Sequence, residues 1–388
     1  MMSEPSAASL AMISRFIAFD TTSHKSNLPL IHFVRDELAQ QGVPSILTFD
    51  DTGTKANLFA TLGPADQPGF ILSGHTDTVP VEDQSWSTDP FKLVRRGERL
   101  FGRGTCDMKS FSAVSLALVP EFLARGLKTP IHLALSYDEE IGCIGVRRLI
   151  ADLATRNLRP LGCIVGEPTA MGIVCAHKGR RTTRVRVRGL EAHSGVPHLG
   201  VNAIEAAAEV IAFFKRVGRR LREEGPHDKA FDTPNHATIQ TSTIEGGTAS
   251  NIVAGHCEFD VDIRYLPGQD PSLLLDEGKV FVERDLLPEM RSVSSQAGFV
   301  WETGADFTSF SNDEDSQIIE LAKKLTGAQR NLKVGFGTEA GLFQEARIPT
   351  VVCGPGDIAQ AHKPDEFIEL AQVKRCENFF RRLMDRMA

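Results

Sequence analysis

The chain has 388 residues, 41% hydrophobic and 24% charged, enough for a large core and more than one domain and unlike a disordered polypeptide. Its formal charge of −7, with Lys and Arg spread along the chain, excludes the basic face that nucleic-acid phosphates require. No apolar run approaches the roughly 20 residues of a membrane span.

The start, Met1-Met2-Ser3-Glu4-Pro5, lacks a basic stretch followed by an apolar core, so no secretory signal is expected. Seven cysteines, without CxxC spacing, suit reduced thiols in a cytoplasmic protein. Leu10, Ile13, Phe16 and Ile17 recur at helical spacing and predict a helix over residues 5–19, with another over 28–41. Strand-like runs at 45–47, 57–62 and 70–74 come next, and the alternation of strands with helices marks a layered α/β domain.

The run at 70–74 delivers His75-Thr76-Asp77 at its C-terminal end, where open α/β sheets place their ligands. Asp77, two residues after the histidine, is placed to orient the imidazole or its neighbours. A glycine-punctuated loop, Gly102 to Asp107, then enters a helix expected over 110–125. Its spacing is not that of a phosphate loop, and Asp107 reads either as a helix cap or as a site residue. A strand at 131–136 ends in Asp138-Glu139-Glu140, three adjacent acids that need a counter-charge. After a helix at 146–155, the run at 163–165 ends in Gly166-Glu167-Pro168, where Glu167 is either an exposed turn residue or a further site carboxylate.

From about residue 180 the pattern changes to polar and apolar alternation, which suits a half-solvated antiparallel strand. A helix at 201–222, a polar linker at 225–234, strands at 238–244 and 256–264, a helix at 271–287 and a strand near 298–302 give a β-α-β-β-α-β order. That order is the ferredoxin-like arrangement, a separate α+β module inserted into the first domain. The α/β pattern resumes with a helix at 311–325, a glycine-containing loop at 334–341, a strand at 350–353, a loop carrying His362, and a terminal helix. The expected architecture is a catalytic domain of residues 1–179 and 306–388, with a mixed, mostly parallel sheet between helices, and an inserted domain of residues 180–305.

Taken singly, His75, Asp107, Glu140, Glu167 and His362 each have a structural alternative. Each nevertheless lies beyond a strand or at the head of a helix, where one sheet would gather them. Two imidazoles and three carboxylates suit borderline divalent ions such as zinc or cobalt, and suit calcium poorly. Five ligands are too few for two closed sites, so one carboxylate must bridge, leaving positions open for water. Glu139, beside the ligand Glu140, is suited to move a proton between that water and a leaving amine.

These motifs resemble the M20 family of dinuclear zinc amidohydrolases and peptidases, from the His75-Thr76-Asp77 turn to His362 and including the inserted module. The resemblance implies that His75 and Glu167 hold one metal and Glu140 and His362 the other, with Asp107 bridging, Glu139 the general base and Asp77 the partner of His75. It implies two Zn2+, with Co2+ as a substitute, and a homodimer through the inserted domain, which would also act as a lid. His193 would hold the substrate carbonyl or its oxyanion, in its own subunit's site or the partner's, and Asn251 and Arg264 would contact the substrate carboxylate. Ser136 to Gly142, Glu167 and Gly337-Thr338-Glu339-Ala340 resemble the deacylases of the family, which adds Thr338 and Glu339 as substrate contacts, Glu339 against an ornithine ammonium. The implied reaction is hydrolysis of an N-acyl amino acid, N2-acetyl-L-ornithine first, with succinyl-diaminopimelate, dipeptides, or binding without catalysis as alternatives. The expected partner is therefore a small molecule, with neither nucleic acid nor membrane.

Overall fold

A computed structural model describes residues 4–156, 158–231 and 234–388. Two compact units divide the chain. One takes the chain up to Ala176, with Phe310–Leu332 and Thr338–Ala388; the other takes His177–Ser309 and Lys333–Gly337.

The first unit is built on a sheet whose path runs Ser45–Phe49, Ala56–Leu62, Ile131–Ser136, Phe70–His75, Gly162–Pro168, Thr350–Gly354, Ile173–His177 and Phe310–Ser311. Four central strands, beginning at Ile131, Phe70, Gly162 and Thr350, run parallel, and the flanking pairs are antiparallel. The parallel strands are largely apolar and, apart from half-buried Phe70, buried, as expected where helices cover both faces. Their register brings the ends into line: His75 pairs with Ser136, and Ser73 with Val165. The loops after His75, after Ser136 and near Glu167 therefore open at one edge of the sheet, as does the loop following Gly354.

Several local expectations need correction. The helix expected over 110–125 is two helices, Lys109–Ala117 and Val119–Ala124, because Pro120 has no N–H to continue the first. The helix expected from 311 begins at Gln317; Ser311 ends the strand Phe310–Ser311 and residues 312–316 form a loop. A small sheet of Val94–Arg96, Arg99–Phe101 and Phe367–Glu369, the strand Ile173–His177 and the short helix Ala340–Glu345 carry too few residues for a periodic signal.

The second unit has its own apolar core and an antiparallel sheet in the order Thr238–Gly246, His256–Tyr265, Gly179–Arg188, Gly298–Phe307. Numbered along the chain this is 2-3-1-4, the ferredoxin-like order. The helix expected to stop at residue 287 passes through a wider turn at Val282–Leu286 and continues to Val293. Pro288, just beyond that turn, cannot supply the amide that a regular helix would use there. Of the linker at 225–234, residues 232 and 233 lie outside the described residues.

Candidate metal centre and active site

His75 is the last residue of its strand and is 1% exposed. Its Nδ1 donates to the backbone carbonyl of Asp77 at 2.9 Å. A carbonyl can only accept, so Nδ1 carries the proton and Nε2 presents a lone pair. Nε2 stands 3.0 Å from Asp107 Oδ1 and 3.7 Å from Glu167 Oε1. His362 Nε2 lies 3.3 Å from the other oxygen of Asp107, Oδ2, and 3.1 Å from Glu140 Oε2. Each oxygen of Asp107 thus belongs to its own set of one imidazole and one glutamate. Donors around a tetrahedral zinc with bonds of about 2.0–2.2 Å stand about 3.4 Å apart. The observed separations, 3.0 to 3.7 Å, bracket that value, so the donor set fits such an ion on each side of Asp107.

The alternatives left open by sequence close here. The helix after Asp107 is capped at Met108 without a side-chain bond, and the Asp107 carboxylate faces the two histidines. Glu167 lies inside a strand and is 4% exposed, not in an exposed turn.

Charge is crowded in this space. Burial pushes the carboxyl of Glu139 well above its usual range, and the negative charges of Glu167, Glu140 and Asp107 add to the shift. Burial pushes Glu167 well up too and raises Glu140, with Asp107 the next cause in both. Asp107 goes the other way: burial alone would raise it, but His362 and His75 outweigh that and hold it well below the carboxylate range. Hydrogen bonds to Asp107 and Glu140 push His362 up to about 10. This is a surplus of negative groups that bound cations would neutralise.

Asp77 organises the acidic loop from beneath. Its Oδ1 accepts the amide of Glu139 at 3.0 Å, and its Oδ2 accepts the amide of Glu140 at 3.2 Å and the Ser23 hydroxyl at 2.8 Å. Asp138 adopts a left-handed backbone, φ 54°, and its carboxylate takes the Lys55 ammonium at 2.5 Å. Two ties, one through Asp77 and one through Asp138, therefore turn the chain so that Glu139 and Glu140 both reach inward. Glu139 lies beside the His75 and Glu167 pair: donor atoms of His75, Glu139 and Glu167 fall within 4.8 Å of one another, and those of His75, Asp107 and Glu140 form a second such group.

Glu339 is 1% exposed and accepts hydroxyl bonds from Ser73, at 3.1 Å, and from Ser136, one to each oxygen. Each oxygen keeps a further lone pair, so Glu339 could still accept from an ammonium group beside the two serines. Thr338, also buried, accepts the Ala340 amide at 3.0 Å. Within the second unit, His193 and Asn251 are brought together: Ser194 donates its amide to the Asn251 carbonyl, and His193 bridges to Ile252. His193 Nδ1 accepts the Gly195 amide at 2.9 Å, so its proton sits on Nε2, a free donor direction. Arg264 is half-buried and donates to Asp262 at 3.2 Å. Ser23, Lys55 and Glu366 gained no role from sequence. Lys55 and Ser23 are polar residues in unremarkable loops, and Glu366 takes its role from Arg103 and the Asp107 loop, both remote from it in sequence.

The profile of Peptidase family M20/M25/M40 matches residues 71–386. An acetylornithine deacetylase from Klebsiella pneumoniae is 37% identical over 327 residues, 84% of this chain and 81% of that protein. Another from Photorhabdus laumondii is 34% identical over 372 residues, 95% and 92% of the two chains. An M20 family metallo-carboxypeptidase from Sulfolobus solfataricus superposes with a TM-score of 0.74 at 17% identity, covering 96% of this chain and 98% of its own. A dinuclear metal binding peptidase of the M20 family from Bacillus subtilis superposes with a TM-score of 0.64 at 14% identity, covering 97% and 98%. Fold and donor set together define a metal-dependent amidohydrolase. The chain belongs to the M20 family of peptidases and deacylases.

Proposed function

We propose that this protein is a dinuclear zinc enzyme, active also with cobalt, that hydrolyses N2-acetyl-L-ornithine to L-ornithine and acetate, a step of arginine biosynthesis. The observation that carries the two-metal reading is the Asp107 carboxylate, each of whose oxygens faces a different imidazole, each imidazole in turn standing beside a different glutamate. His75, Asp107 and Glu167 would hold one ion, and His362, Asp107 and Glu140 the other. When bound, such ions polarise an amide carbonyl and lower the pKa of water towards about 7. Support for the substrate is the 34–37% identity to proteins named acetylornithine deacetylase.

In this reading Glu139 takes the proton of the attacking water at a carboxylate oxygen and returns it to the leaving nitrogen. Asp77 holds the backbone of Glu139 and Glu140 so that one carboxylate points at water while the next binds. The second unit serves as lid and dimerisation surface: His193, with its proton on Nε2, donates to the developing oxyanion, and Asn251 and Arg264 hold the substrate carboxylate. Thr338 and Glu339 enter as substrate contacts, Glu339 meeting the ornithine ammonium beside its bonds from Ser73 and Ser136. The cytoplasm suits seven free, buried cysteines.

The test is kcat/KM on acetylornithine, succinyl-diaminopimelate and simple dipeptides with zinc or cobalt. A preference for acetylornithine supports the proposal. A preference for either other class replaces the substrate, and bound metal with no hydrolysis of any of them replaces catalysis with binding.

A further inference from the structure

Asp107 and His362 come from two loops far apart in sequence, and a polar clamp joins them, buried at Glu366 and Arg103 and more open where Gln84 meets the His362 loop. The Glu366 carboxylate, 1% exposed, lies under the Asp107 loop. Its Oε1 accepts the amides of Cys106 at 2.8 Å and Asp107 at 3.0 Å, and its Oε2 accepts the amide of Gly104 at 3.0 Å and Arg103 Nη1 at 2.8 Å. The loop wraps this closely because Gly104 has φ 82°, and a Cβ there would press on Lys109 and Thr78 at 3.0 Å.

Arg103 carries the connection onward. Its guanidinium, buried and stacked against Trp86, donates to the Lys363 carbonyl at 3.3 Å and to the side chain of Gln84. Gln84 Nε2 in turn donates to the carbonyl of His362 at 3.1 Å. Four donors converge on one carboxylate, and the arginine that neutralises it also grips the backbone beside His362. Charge-assisted bonds of this kind are stiff and short, and breaking one partner of a buried pair leaves the other uncompensated.

We infer that Glu366, acting through Arg103 and Gln84, is a positioning residue that sets the separation of Asp107 from His362 and thereby the affinity of the site for metal. The inference rests on the metal-binding reading proposed above. Partners that orient ligands without touching the ion are typically worth about 10–100-fold in affinity.

The experiment compares Glu366→Gln and Glu366→Asp with Glu377→Gln. Glu377 is also fully buried and paired, with Lys374 and Arg381, but it anchors the Ser6 amide between the terminal helices. Zinc dissociation constants by chelator competition, zinc per chain, kcat against zinc concentration, and melting of the metal-free forms are measured for each. Glu366→Gln is expected to bind zinc about 10–100-fold more weakly, with kcat recovering as zinc is raised and Glu366→Asp intermediate. Glu377→Gln is expected to melt lower yet bind zinc as the wild type does. Wild-type affinity in both Glu366 variants, or equal weakening by Glu377→Gln, overturns the assignment. If Glu366→Gln does not fold, Arg103→Lys is read in its place, and unchanged zinc affinity there overturns it equally. Wild-type stoichiometry judges the parent reading separately. A single bound ion rejects the two-metal arrangement while leaving the Glu366 dependence measurable, and no bound ion rejects both.

Discussion

Replacing Glu139 by Gln separates the chemistry from the metal site. The two side chains have the same shape, and the Glu139 carboxyl is held only by the Cys143 thiol, at 3.6 Å, and by no backbone amide among the described residues. The exchange therefore breaks no structural bond. It also removes a carboxyl that burial and the neighbouring acids Glu167, Glu140 and Asp107 already push well up, so the metal-free variant should melt no lower than the wild type. What it removes is proton transfer, typically worth about 10²–10⁴ in rate, or about 3–5 kcal/mol of barrier. The assay is kcat and KM on acetylornithine beside zinc per chain: kcat should fall by that factor, with metal content unchanged and KM within a few-fold. Turnover within about tenfold of wild type, with both metals in place, would refute the role. Loss of one metal would instead make Glu139 a ligand, which its closeness to His75 and Glu167 permits.

Asp77→Asn keeps the carbonyl that fixes His75 but weakens the bonds to the amides of Glu139 and Glu140; zinc affinity or kcat should drop about 10–100-fold by chelator titration. Chelation should lower Tm, because an ion at 100 times its Kd contributes about 2.7 kcal/mol, and zinc or cobalt but not magnesium should restore it. Glu377, fully buried, has its pKa lowered from 4.5 to about 2; burial opposes the shift, and the Ser6 hydroxyl and Lys374 outweigh it. A depressed folded pKa gives stability that is complete above the unfolded value and lost as pH falls through the folded one. The stability gap between wild type and Glu377→Gln should therefore narrow by on the order of 3 kcal/mol between about pH 5 and pH 2 in denaturant titrations. A gap constant over that range would reject the assignment.

The parallel strands are legible in sequence because they are buried on both faces and read as short apolar runs, and the site lies just beyond their C-terminal ends. The helix break is written in Pro120, whose missing N–H is a local signal; the strand Ile173–His177 has no such mark, since five buried residues carry no period. Residue identity alone leaves Asp107 divided between cap and ligand. A cap is decided by which way the carboxylate points, and that depends on His362, placed by a loop far along the chain.

The same dependence explains why the supporting residues are harder to see than the ligands. A ligand must be His, Asp or Glu, near a strand end or at the head of a helix, a restriction visible in one dimension. Asp138 and Lys55, or Glu366 and Arg103, act only as pairs whose members are remote in sequence. The three acids after Ser136 illustrate both kinds. Their repulsion signals a cation, but the neutralisation is shared out: Asp138 turns outward to Lys55, while Glu139 and Glu140 stay inward because Asp77 holds their amides. A loop with only the inward pair would lack the tie that sets its left-handed turn. Asp138→Ala should accordingly disorder the loop and depress both metal affinity and kcat, whereas Glu139→Gln depresses kcat alone, and that difference distinguishes the residue that shapes the loop from the one that moves the proton.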